Sequence, residues 1–195
     1  VLPAARSTSG WSALPAGREW YAAAVRSHTT TNMTPEEIAA LGTAEVARLR
    51  AEMVKVQARL GGSGPLEAFL AEYRQRSATR PFKTEAEVLA AYRELNARVA
   101  AGLPRLFGRR PKAALDIRPE PELTRETASD HYVMPAPDGS RPGVFFAVIN
   151  DPAAYAATGM ATLFLHEGQP GHHFQIALAQ EMDLSLPQRF SGFTA

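Results

Sequence analysis

Leu163-Phe164-Leu165-His166-Glu167-Gly168-Gln169-Pro170-Gly171-His172-His173-Phe174-Gln175 places three of the chain's five histidines within eight residues, beside a carboxylate and directly after an apolar helical turn. Neutral imidazole is the commonest nitrogen ligand for Zn²⁺. A Glu next to such a ligand sits one step round the helix, where it reaches a water on the ion without binding the ion itself. In the H-E-x-x-H arrangement two histidines four apart share one helical face and one ion. Here the position four after His166 is Pro170, which cannot ligate. Pro170 donates no hydrogen bond and clashes with the carbonyl of His166, while Gly171 accepts backbone angles closed to other residues, so the spacing predicts a break between Glu167 and His172. In an unbroken helix His173 would stand about 10.5 Å along the axis from His166, too far to share an ion with bonds of about 2.1 Å. With two residues looped out, His172 becomes the second ligand and His173 a neighbour that supports a ligand or touches substrate, His173 itself being the alternative ligand. The opposing reading is a Pro-Gly helix junction whose histidines only cap the next helix.

Working outward, residues 1–108 read as a helical part, 109–158 as a Pro-rich part with short strands, and 159–195 as the histidine-bearing helices, all within a single expected domain. Glu19 to Arg26 forms a short helix candidate closed by His28-Thr29-Thr30-Thr31-Asn32. Thr34-Pro35-Glu36-Glu37 unites an N-cap Thr, a Pro at the first helical position and a Glu three residues after the cap, so a helix starts there. Its apolar residues Ile38, Leu41, Leu49, Met53, Val56 and Leu60 recur at three- and four-residue steps until Gly61-Gly62-Ser63-Gly64 ends it. A third helix carries Leu66, Phe69, Leu70 and Tyr73, and a fourth opens with a second capping box, Thr84 to Glu87. Dense prolines from Pro111 to Pro142 exclude long helices, and two strands, His131–Met134 and Gly143–Asn150, are predicted to form an antiparallel hairpin. The expected class is mainly α-helical with a small antiparallel sheet (α+β).

The chain has 195 residues, 45% of them hydrophobic, and a net charge of +1 from 21 Lys+Arg against 20 Asp+Glu. That size buries a sizeable core, and the charge balance gives no electrostatic reason to expect nucleic acid or an anionic membrane as partner. No stretch reaches the roughly 18–20 apolar residues a membrane helix needs, and the first twenty residues lack the order of a signal peptide. With no cysteine, disulfides, thiolate metal sites and cysteine nucleophiles are excluded, so any metal site uses His, Asp and Glu. Val1 and the closing Ser191-Gly192-Phe193-Thr194-Ala195 are read as cuts in a longer protein; the compartment stays open, with the cytoplasm favoured over export.

His166-Glu167-Gly168-Gln169-Pro170-Gly171-His172-His173-Phe174-Gln175 resembles the H-E-x-x-P-G-H-[HY]-x-Q signature of bacterial family 885 of the domains of unknown function, which is grouped with the gluzincin-type zinc metallopeptidases. His28-Thr29-Thr30-Thr31 with Thr34-Pro35-Glu36-Glu37-Ile38, Leu103-Pro104-Arg105-Leu106-Phe107-Gly108, and Asp138-Gly139-Ser140-Arg141-Pro142-Gly143-Val144-Phe145 resemble the same family in the same order, so the likeness covers most of the chain. The resemblance implies a zincin-like metallopeptidase fragment, a Zn²⁺ cofactor, and His172 rather than His173 as ligand. It also implies a third ligand, the Glu of a Tyr-x-Glu-Gly-Trp segment that this family carries beyond the point where the sequence stops at Ala195. The implied chemistry is peptide-bond hydrolysis, with Glu167 taking a proton from the attacking water and passing it to the leaving amine. A peptide or a small amide is the expected substrate.

Other residues are candidates of lower specificity. The strand from Val144 to Ile149 could pair its backbone with an extended peptide or be an ordinary core strand, and Asn150 after it reads as a turn. His131 and Tyr132 could donate to a developing oxyanion. Gln175 could hold the second nitrogen of a ligand histidine. His28 reads as a cap, and Arg105, Arg109 and Arg110 as surface charge that could meet a carboxylate. Two rival functions share the sequence: a catalytically inactive helical binding module, and a metal-dependent amidase or esterase acting on a non-peptide substrate.

Overall fold

Both capping boxes close in the computed structural model of the protein. Thr34 Oγ1 accepts from the Glu37 amide at 3.2 Å while Glu37 Oε2 accepts from the Thr34 amide at 2.8 Å. Thr84 and Glu87 repeat the exchange with both distances at 3.3 Å. Satisfying the free amides of a first turn in this way is worth about 1 kcal/mol per cap. The structure describes residues 6–8, 10–76 and 79–190, so the closing Ser191–Ala195 stretch lies outside the described residues.

The chain divides into two compact units, Val1–Leu70 and Ala71–Ala195. The first holds α1 (Gly17–Thr29), α2 (Pro35–Arg59) and the opening turn of α3 (Leu66–Gln75). Gly61, at φ 74°, turns the chain out of α2, and the buried Gln57 amide donates to the Gly64 carbonyl at 3.1 Å. The apolar stripe that predicts α2 is present, yet Leu41, Leu49, Met53 and Leu60 on it are exposed.

The second unit contains α4 (Glu85–Gly102), β1 (Leu115–Pro119), α5 (Glu122–Arg125), β2 (His131–Val133), β3 (Gly143–Ala147), α6 (Met160–Glu167), α7 (Gly171–Glu181) and α8 (Leu186–Phe190). The predicted hairpin is there: β2 runs antiparallel to β3 with Tyr132 opposite Phe145. A strand the sequence reading did not contain, β1, pairs parallel with the other edge of β3, placing Ile117 opposite Phe145 and giving a three-stranded mixed sheet of order β1-β3-β2. β3 is therefore central, with β1 paired along Gly143–Ala147 and β2 along Val144–Phe146, so both backbone edges of its middle are occupied, which corrects the expectation that this strand could pair with an extended peptide.

One sheet face packs on helices. Val88, Leu89 and Tyr92 of α4, Ile117, Phe145, Ala147 and Ile149 of the sheet and its continuation, and Met160 and Phe164 of α6 form the core. Its aromatic centre is tight, with the rings of Tyr92 and Phe145 4.9 Å apart and those of Phe145 and Phe164 5.7 Å apart, edge to face. Among the described residues no helix is long and apolar enough to cross a membrane.

Candidate metal centre

α6 reaches the site from the core. Phe164 is fully buried and Met160 nearly so, and the helix ends two to three residues later with His166 and Glu167 emerging at its C-terminal end. The predicted break follows at once. The Gly168 amide closes α6 on the Phe164 carbonyl at 2.8 Å, and Gly168 itself leaves helical geometry at φ −96°, ψ −118°. The Gln169–Pro170 peptide is cis, and α7 begins with the Phe174 amide donating to the Pro170 carbonyl at 2.7 Å. The Gln169 side-chain amide donates to Oδ1 of Asn96 on α4, fastening the break to the helical layer. Gly171 is required by space: a Cβ there would run into the backbone carbonyl of His166 and the carbonyl oxygen of Leu165. The two helices thus fold back closely enough to bring the residues flanking the break together.

His166, Glu167 and His172 meet. Their ligand atoms lie within 4.8 Å of one another, and the two imidazole rings stand 4.8 Å apart, nearly perpendicular at 77°. The Glu167 carboxylate faces both: Oε1 is 3.9 Å from His166 Nε2 and Oε2 is 3.9 Å from His172 Nε2. His172 Nδ1 is 2.8 Å from Gln175 Oε1, and because that oxygen only accepts, Nδ1 carries a hydrogen and Nε2 is the nitrogen that faces Glu167 and is placed for a metal. The side chain of His166 is 67% exposed and that of Glu167 18%, so the group is open to solvent on the His166 side. Two imidazole nitrogens are donors zinc accepts, with the Glu167 carboxylate beside them, and tetrahedral bonds of about 2.1 Å need the two nitrogens about 3.4 Å apart, a closure reached by side-chain shifts on the order of an ångström. The residues present fit a metal ion.

His173 goes elsewhere. It is 3% exposed, its Nε2 donates to the Ala113 carbonyl at 3.1 Å, and its Nδ1 accepts from the Tyr132 hydroxyl at 3.0 Å. Burial pushes the His173 pKa down, against the opposing effects of the Ala113 hydrogen bond and the Glu181 carboxylate, so the ring is held neutral. Burial likewise raises the pKa of Tyr132, only partly offset by Arg141, and keeps its hydroxyl a donor.

The remaining candidates separate. Strand alternation sends His131 and Tyr132 to opposite sheet faces: His131 stacks on Phe146 at 5.3 Å with Nδ1 2.9 Å from the Ser129 carbonyl, while Tyr132 turns toward His173. His28 Nδ1 lies 2.9 Å from the Ala24 carbonyl at the end of α1, a capping arrangement. Arg105, Arg109, Arg110 and Asn150 are exposed. The sequence reading missed Asn96, the Ala113 carbonyl and Gly143 as parts of this neighbourhood. Nothing local marks them, because each acts through a contact with a residue distant in the chain.

Residues 1–195 match the family described as "Bacterial protein of unknown function (DUF885)". Among solved structures the chain is similar to "the putative lipoprotein from Colwellia psychrerythraea", with a TM-score of 0.83 and 28% sequence identity over 92% of this chain. The chain spans 32% of the length of that solved chain. No curated protein matches.

Proposed function

We propose that this chain, which belongs to the DUF885 family of bacterial proteins of unknown function, carries two metal ligands and the catalytic base of a zinc-dependent hydrolase of peptide bonds. The observation that carries the reading is the carboxylate of Glu167 set between two imidazoles, one oxygen 3.9 Å from each Nε2. His166 and His172 hold the ion in this reading, and a Glu beyond Ala195 completes the protein ligands. When bound, zinc supplies Lewis acidity that polarises a carbonyl and acidifies water.

The chain's own residues do the rest. Glu167 takes a proton on a carboxylate oxygen from the attacking water and delivers it to the nitrogen of the leaving amine, which needs a carboxylate free of strong ion pairs and near the attack site. Among the described residues no Lys or Arg pairs with it, the two imidazoles being its neighbours, and its side chain is largely shielded from solvent. Gln175 orients His172 by taking its Nδ1 hydrogen. The open His166 side leaves room for a peptide or small amide to approach. The likeness to the Colwellia protein supports an exported setting over a cytoplasmic one.

The test is metal analysis of the full-length protein at saturating zinc, alongside hydrolysis of a mixed peptide library. Stoichiometric zinc is expected in the unsubstituted protein and in Glu167→Gln, with hydrolysis lost in the latter. His166→Ala and His172→Ala are expected to lose the ion. Equal zinc in all four proteins would overturn the ligand assignment, and full hydrolysis by Glu167→Gln would overturn the base.

A further inference from the structure

His173 follows a proposed ligand directly and is among the few buried polar side chains of the described residues. Both of its nitrogens are used: Nε2–H on the Ala113 carbonyl ahead of β1, Nδ1 on the Tyr132 hydroxyl of β2. The chain is uniquely directed, since the carbonyl can only accept, and this fixes both the tautomer and the direction of the hydroxyl hydrogen. A buried polar pair of this kind is costly to leave half-made, so its persistence needs a physical gain.

Three features locate that gain. First, α7 is not continuous with α6 and its first turn has no preceding helix to hold it; the Gly168 carbonyl takes the His173 amide at 3.0 Å, and the side chain of the same residue supplies the tie to the sheet. Second, β3 opens with Gly143, and a Cβ there would collide with the Tyr132 hydroxyl and lie 2.8 Å from His173 Nδ1, so the strand start leaves the space the hydrogen bond occupies. Third, Phe174 is buried beside Phe107 at 5.2 Å between ring centres, a contact that carries no directional bond, whereas the two hydrogen bonds of His173 do. A ligand nitrogen stands roughly 6 Å from the helix axis, so a 10° turn of α7 would move it on the order of 1 Å, which adds to the side-chain shift that closing on an ion already needs and weakens binding.

We infer that the Tyr132–His173–Ala113 hydrogen-bond chain is a positioning device that sets the rotation of the first turn of α7 and so aims His172 at the metal. His173 is then a positioning residue that touches neither ion nor substrate, and Tyr132 acts through it. The inference rests on the zinc reading above for its purpose, and on the geometry of the described residues for its mechanism.

The test uses the full-length protein and four variants: Tyr132→Phe, which removes only the hydroxyl, His173→Phe, which removes both bonds, the pair combined, and His173→Gln. Zinc affinity is measured by chelator competition, and amide hydrogen exchange is followed in the metal-free proteins. Tyr132→Phe is expected to weaken zinc binding about tenfold without changing its stoichiometry, and the double variant to be no weaker than His173→Phe alone, because one chain is being cut twice. His173→Gln, whose amide can both donate to Ala113 and accept from Tyr132, is expected to restore most of the affinity. Metal-free exchange is expected to speed up at residues 171–175 and not in the sheet. Unchanged zinc affinity in Tyr132→Phe and His173→Phe, with stoichiometric zinc in the parent, overturns the inference and leaves the zinc reading standing. A parent that binds no zinc overturns that reading instead, and unchanged exchange at 171–175 then overturns the positioning role as well.

Discussion

His172 and Gln175 are joined one helical turn apart on α7, Nδ1 to Oε1 at 2.8 Å, and this bond is what turns the other ring nitrogen toward Glu167 at 3.9 Å. Gln175 is exposed, so its removal leaves no cavity. Gln175→Ala is expected to weaken zinc binding about tenfold through a freely rotating imidazole, with the melting temperature nearly unchanged. Gln175→Glu keeps an acceptor and should bind zinc at least as well as the parent. A competition titration reading the same affinity for Gln175→Ala and the parent would count against the orienting role.

Gly171 and Gly42 give opposite expectations for the same change. A Cβ at Gly171 meets the backbone of His166 and Leu165, which cannot swing aside as a side chain can, whereas one at Gly42 on α2 meets nothing within 4 Å. Gly171→Ala should destabilise by about 1–3 kcal/mol. Gly42→Ala should be neutral or stabilising by up to about 1 kcal/mol, from helix propensity. Denaturant unfolding of the two variants decides it, and equal stabilities would show that the close approach at Gly171 is not obligatory.

Alkaline pH should loosen the core from a defined place. The Tyr92 and Tyr155 hydroxyls are 2.7 Å apart, and Tyr155 donates on to Asp130 Oδ1 at 3.3 Å. Burial raises both phenols, Tyr92 the further, and with the Asp130 carboxylate it pushes Tyr155 up to about 12 despite the opposing hydrogen bond from Tyr92. A raised pKa in the folded state means that the unfolded chain gives up these protons first, so the contribution is complete below about pH 10 and fades as pH climbs through the folded values. Stability measured from pH 9 to 12 should fall across that window, and Tyr155→Phe should fall less steeply. Parallel curves would locate alkaline sensitivity elsewhere.

The helices were readable where a local signal fixes them. Thr34 and Thr84 announce their helices because the capping box is formed within four residues, and Pro170-Gly171 announces the break because one residue lacks an amide hydrogen and the next lacks a side chain. β1 was not read, although Leu115 and Ile117 alternate with Asp116 and Arg118. Five residues of alternation carry little weight, and the parallel partner lies some thirty positions on, where no turn sequence sets the register. Burial was less legible than secondary structure: the stripe of α2 gave a helix, yet Leu49 and Leu60 on it are exposed. At the metal group the local sequence names His166, Glu167 and His172, but the partners that hold His173 come from segments some forty and sixty positions away, and only the folded chain brings them in.

The interruption between Glu167 and Gly171 has a mechanical outcome. α6 is gripped by Phe164 in the aromatic core, while α7 is gripped by its own contacts to Phe107, Ala113 and Tyr132. An ion spanning His166 and His172 would work as a clasp between two separately anchored rods, so its binding energy would be stored in their relative alignment. Local opening of that joint would then let the ion go while Tyr92, Phe145 and Phe164 stay packed, making metal release a gentler event than unfolding.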